Sequence, residues 1–109
     1  MVAGPYRAGA ATEEARVRNL AEMNRAALAL FRAGHVPVIG VNLALPVIDA
    51  AGPAAFDEIM MPLSLALVER CDACLRVGGP SQGADAEAAR FRALGRPVYA
   101  ALEEVPAAR

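Results

Sequence analysis

Apolar positions along this chain change their period several times, and each change marks an element. Between Thr12 and Ala33, Val17, Leu20, Ala21, Asn24, Ala27, Leu28 and Phe31 recur at intervals of three and four, the repeat of one helix face. Thr12 is suited to cap this helix. Glu13 and Glu14 fill its first turn, where the dipole favours carboxylates, and Gly34 ends it. Asn24 interrupts the apolar face, which points to a hydrogen bond to backbone or to the approach of a site. His35–Val41 is a continuous β-branched run and predicts a strand. Pro37 has no N–H for a ladder and assigns that strand to a sheet edge. Asn42–Pro53 mixes small and apolar residues and predicts a loop long enough to line a pocket, with Asp49 inside it. Phe56–Arg70 reads as a second helix, with a break near Met61–Pro62 because an internal proline removes a backbone bond.

The second half repeats the alternation. Ala73–Val77 is a short apolar strand that runs into Gly78 and Gly79. Asp85–Leu94 has helical composition, with Ala86, Ala89, Ala93 and Leu94 available to face a sheet. Gly95 closes this helix, and Pro97–Ala100 resumes an apolar run. Strand, glycine-rich turn, helix and strand in that order make a parallel, right-handed crossover. At the start, Met1–Ala3 forms a very short strand before the Gly4-Pro5 turn, and Val105–Arg109 is a tail. The sum is β-α-β-α-β-α-β. It predicts a flavodoxin-like α/β three-layer sandwich: a four-stranded parallel sheet of order 2-1-3-4, with helices on both faces and a switch point between the first and third strands.

Composition narrows the picture. A chain of 109 residues makes one domain with one core. The net charge of −1 gives no basic footprint for nucleic acid. No apolar run reaches the ~18 residues of a membrane span, and the start carries no signal-peptide pattern, so the expected setting is the cytoplasm. Cys71 and Cys74 form C-x-x-C, a spacing used by redox pairs and by half of a zinc site. The one histidine, His35, stands far from them, so free thiols are expected, with no metal and no cofactor. His35, at a helix-to-strand turn, is expected to be structural. The 56% share of hydrophobic residues exceeds what one small sheet can cover and points to a homodimer or larger homo-oligomer.

Candidate chemistry gathers at the predicted switch point. The turns Gly4–Arg7 and Gly78–Gly83 both follow strands and flank one crevice, where open α/β sheets bind ligands. Gly79, Ser81 and Gly83 supply backbone amides at the start of a helix, and the helix dipole favours a phosphate or carboxylate there. Glu87 lies one turn in, on the face of Gly83 and on a solvent-facing turn, where its carboxylate stays ionised and can act as a nucleophile. Arg7 suits an anionic group, and Tyr6 offers a ring face and a hydroxyl. Taken singly, each of these residues has a plain reading as a solvated or packed side chain. The convergence of two loops distant in sequence is what joins them into a site.

AGPYR near the start, AGHVP at the end of the first helix and CDACLRV-GGPSQGADAEAARFRALGRPVY together resemble the nucleoside 2-deoxyribosyltransferase superfamily. The likeness is to its small members, with 2'-deoxynucleoside 5'-phosphate N-hydrolases as relatives, and it covers nearly the whole chain. It implies cleavage or transfer at an N-glycosidic bond of a nucleoside or nucleotide. Glu87 would attack the anomeric carbon, Ser81 and Gly83 would hold the sugar or its phosphate, and Tyr6 and Arg7 would close over the substrate. The family usually carries an aspartate eight residues ahead of the position of Asp72. Ser64 stands there instead, and Asp49, Asp57 and Glu58 are the nearby carboxylates available to replace it. A non-catalytic module binding a nucleotide or sugar phosphate in the same crevice is the alternative.

Overall fold

The computed structural model describes residues 1–108. Its elements are β1 (Val2–Ala3), α1 (Glu13–Arg32), α2 (Gly40–Ala51), α3 (Phe56–Val68), β2 (Cys74–Arg76), α4 (Gln82–Ala93) and β3 (Val98–Tyr99), with short 3-10 turns at Pro53–Ala55 and Leu102–Glu104. The sheet is parallel, in the order β1-β2-β3, with Val2 opposite Leu75, Ala3 opposite Arg76, and Cys74 opposite Val98.

The expected four-stranded sheet of order 2-1-3-4 is therefore corrected: among the described residues the sheet has three strands, all very short. Residues 36–39 do run beside β1, on the edge away from β2, but one backbone bond, from Val2 N to Val38 O at 2.8 Å, is all that joins them. Pro37 contributes no N–H, and the chain turns into α2 at Gly40, so no ladder forms. Asn42–Pro53 is likewise not a loop. Val41, Ala44 and Ile48, at spacings of three and four, are buried along one face of α2, and Pro46 falls on the solvent side. In α3 the helix runs unbroken through Pro62, which is also exposed. Neighbouring helices hold both segments in place despite one missing bond in each.

Adjacent strand residues point to opposite faces, and this divides the core in two. Val2 and Leu75 pack with Met23 and Leu30 of α1 and with Ala44, Ile48 and Met60. Ala3 and Cys74 pack on the other face with Ala84 and Phe91 of α4 and Val68 of α3. Phe91 is the largest fully buried side chain, and burial of such a ring contributes about 1.5–3 kcal/mol. Thr12 caps α1 by accepting a hydrogen bond from Ala15 N at 3.1 Å. Gly34, at φ +95°, ends it in a left-handed turn that few other residues adopt.

Two helix faces differ from the periodicity reading. On α1 the buried face is Leu20, Met23, Ala27 and Leu30, while Val17, Leu28 and Phe31 are exposed. On α4 the buried residues are Ala84, Glu87, Ala88 and Phe91, while Ala86, Ala89, Ala93 and Leu94 face outward. Phe91 decides the second case. Turning α4 to bury alanines would have exposed its only aromatic ring.

Candidate functional site

The first-loop residues lie against the loop after β2. A Cβ on Gly4 would stand 3.0 Å from the Val77 carbonyl oxygen, and one on Gly78 would stand 2.7 Å from Pro5 Cδ. Gly78 also has φ +78°, so both its conformation and its contact with Pro5 require the missing side chain. The parallel register that sets Ala3 beside Arg76 brings these two loops together at the carboxyl ends of β1 and β2.

Past the loop, Ser81 caps α4, accepting a hydrogen bond from Ala84 N at 3.1 Å. Its hydroxyl is thus engaged by the helix itself. Gly79 is exposed, and its carbonyl accepts from Arg76 Nη2 at 2.9 Å. Gly83 is a close-packing point, where a Cβ would lie 3.1 Å from Met61 Sδ on α3. Tyr6 is stacked on Phe56, with centroids 6.5 Å apart and planes inclined by 14°, and the Arg7 guanidinium lies 3.3 Å from the centroid of the same ring. Asn19 Nδ2 donates to the Tyr6 carbonyl at 2.9 Å and fixes this loop to α1. Asp49 is exposed on α2 instead of lining a pocket loop.

Glu87 sits on the inner face of α4, 9% exposed, and not on the solvent-facing turn expected from the sequence. Burial pushes its carboxyl up from 4.5 to about 7, and the pull of Arg76 and of the chain's amino group only partly offsets this. The expectation of a carboxylate ionised throughout the neutral range is corrected accordingly. The two side-chain ion pairs among the described residues are Arg76–Asp85 and Arg90–Glu69, so Glu87 belongs to neither. No fully enclosed side-chain oxygen or nitrogen lacks a partner there. Glu87 is a largely desolvated carboxyl held without a cationic partner in contact, an arrangement that functional sites produce more readily than solvated helix surfaces do.

Arg76 is the residue the sequence reading did not single out. Its Nε donates to Asp85 Oδ1 at 3.1 Å, Nη1 donates to the Val77 carbonyl, and Nη2 donates to the Gly79 carbonyl. One guanidinium thereby ties the end of β2, the glycine loop and the first turn of α4. An arginine closing a buried apolar strand, one residue short of the Gly-Gly pair, was the available signal.

Ser64, where the resemblance calls for an acid, is 1% exposed. It faces Gly40 across the α2–α3 contact so closely that a Cβ on Gly40 would overlap its Oγ. An ionised aspartate would have to be desolvated in that space. Asp57 and Glu58 are exposed in the first turn of α3. A cavity of about 640 Å³ opens instead near the amino ends of the strands, between Leu30, Val38, Leu67, Cys71, Tyr99 and Val105. None of the expected site residues lines it, and its histidine is engaged: His35 Nε2 lies 2.7 Å from the Pro106 carbonyl.

Cys71 and Cys74 are free thiols, and burial pushes Cys74 up to about 11. Among the described residues no cluster of three or more metal-ligating side chains forms, and no helix is long and apolar enough to cross a membrane. Comparison of the chain with family models, with curated proteins and with solved structures found no match.

Proposed function

We propose that this protein cleaves or transfers at the N-glycosidic bond of a nucleoside or nucleotide, in the manner of the nucleoside 2-deoxyribosyltransferases, with Glu87 as nucleophile. The observation that carries this reading is Glu87 itself: a carboxyl, 9% exposed, outside both ion pairs, one turn behind the Ser81 cap and the glycine loop. In the reaction, a Glu87 carboxylate oxygen attacks the anomeric carbon. The electron pair of the carbon–nitrogen bond departs with the base, which takes a proton from water or from a nearby acid. Water, or a second base, then attacks the same carbon and releases the carboxylate, with retention overall. Desolvation raises the nucleophile's energy before attack, and the amides ahead of α4 suit a sugar 5'-phosphate. Tyr6, Arg7 and Phe56 form a stacked wall suited to a planar base. A cytoplasmic setting agrees with the two unpaired thiols.

A second reading has its own support. Ser64 is packed into a helix contact, and the carboxylates Asp49, Asp57 and Glu58 are exposed, so the leaving base has no evident acid. A module that binds nucleotides or sugar phosphates without turnover fits that lack. The two readings separate on incubation with a panel of nucleosides and their 5'-monophosphates, with free base as the readout. Base release that rises with pH towards about 7 and disappears in Glu87→Gln supports the enzyme. Equal turnover in wild type and Glu87→Gln removes Glu87 from the mechanism. Saturable binding without any base release supports the module.

A further inference from the structure

The burial of Glu87 traces to α3, which packs along α4. Gly83 and Glu87 are four residues apart, so they share one face of α4. Side chains on a helix lean towards its amino end, which carries the Glu87 carboxyl back over Gly83. There α3 comes close: a Cβ on Gly83 would stand 3.1 Å from Met61 Sδ. The two helices run in the same direction, since α3 leads to the amino end of β2 and α4 leaves its carboxyl end. Met61 and Val68, two turns apart on one face of α3, therefore bracket Glu87 along α4. Val68 is buried in one cluster with Ala84 and Phe91, whereas Met61 is only half-buried. Packing closes the inner end of this slot, and a single thioether closes the outer end. We propose, on the reading of Glu87 as nucleophile, that Met61 is the gate of the site: its side chain shuts water off from the carboxyl and swings aside to admit the sugar.

Methionine is chemically suited to this post. Its unbranched side chain turns about three bonds, and its sulfur is too weak an acceptor to compete for the carboxyl. The charged groups around Glu87 do not account for its state. From β2, Arg76 pulls the carboxyl down, and Cys74 is a neutral thiol raised to about 11. From β1 comes the chain's amino group, which also pulls it down and donates to the Ala73 carbonyl at 2.8 Å. On α4, Asp85 is paired with Arg76 and Arg90 with Glu69. Tyr99 of β3 packs in the opposite core, and Asp57 and Glu58 stand exposed at the start of α3. Desolvation outweighs these charges, and Met61 is the half-exposed part of the cover that produces it.

Carbon-13 NMR of the glutamate carboxyls in the full chain, with Glu87 assigned by Glu87→Gln, tests the gate without requiring turnover. Wild type should titrate at about 7. Met61→Ala and Met61→Gln should each admit water and lower that midpoint by about one unit or more. Met61→Leu keeps the apolar bulk and should leave it at about 7. Met61→Gln keeps the length of the side chain, so it decides the matter even where Met61→Ala does not fold. Base release at about pH 5.5 should rise about tenfold in either opening variant, the ionised fraction gained by a one-unit shift. A midpoint unmoved by the opening variants overturns the gate, as does one that Met61→Leu lowers equally. The expected titrations without base release from any nucleoside or 5'-monophosphate support Met61 as the cover of Glu87 and overturn the reaction instead.

Discussion

At the scale of single residues, Glu87 concentrates the tension in this molecule. Its carboxyl is raised from 4.5 to about 7 by burial, so the folded protein holds a proton that the unfolded chain has already released. Below both values the group is neutral in either state. As pH rises from 4.5 to about 7 the unfolded state binds fewer protons than the folded one, and stability falls by up to about 3 kcal/mol, staying lower beyond that. Glu87→Gln removes this dependence. Urea denaturation should find the variant more stable than wild type at about pH 8 and nearly equal to it at about pH 4. A variant less stable at both would mean that the carboxylate is held by contacts worth more than its desolvation. The S-x-G-x-x-x-E spacing marked Glu87 as a residue to watch. Its burial was not legible, because it depends on which side of α4 the Phe91 ring turns inward. Arg76 escaped notice for a similar reason: three acceptors meet its guanidinium only once the loop has closed around it.

At the scale of elements, a tight helix contact joins the first residue of α2 to the middle of α3. A Cβ at Gly40 would overlap Ser64 Oγ and stand 2.9 Å from Ser64 Cβ. Gly40→Ala should therefore destabilise the fold by about 1–3 kcal/mol, measured by chemical denaturation. Adding Ser64→Ala should recover part of that loss, since the hydroxyl is the nearer obstacle. Losses that simply add would remove the contact as their cause. The same contact explains why Asn42–Pro53 reads as a loop in isolation. Ile39 offers no capping side chain and Pro46 lacks a backbone donor, so α2 has little local support. It forms because Val41, Ala44 and Ile48 find a buried surface.

At the scale of the whole molecule, the sheet is small and the chain closes around it by its end. Val105 packs on the core beside Leu30 and Tyr99, the Pro106 carbonyl meets His35 Nε2 at 2.7 Å, and Ala108 N donates to Ala33 O at 3.0 Å. These contacts hold the end of α1 and line the cavity near the amino ends of the strands. A chain ending at Glu104 should lose about 1–3 kcal/mol and melt at a lower temperature, with its circular dichroism otherwise native. An unchanged melting temperature would reduce the tail to a surface ornament.

The sequence by itself determined where the helices begin and end when capping is local: Thr12 and Gly34 for α1, and Gly95 for the end of α4. It also determined that Gly4 and Gly78 follow strands, since short apolar runs ending in glycine carry that signal without help. Only the tertiary structure decided whether His35–Val41 joins a ladder, because Pro37 permits the neighbouring position but withholds a donor. It alone chose between the two apolar faces of α1, and between the alanine face and the Glu87–Phe91 face of α4. Periodicity records that a helix has an apolar side. When a helix has two, the choice is made by what the rest of the chain brings to each, and that choice is what buries Glu87 and leaves Val17, Leu28 and Phe31 uncovered.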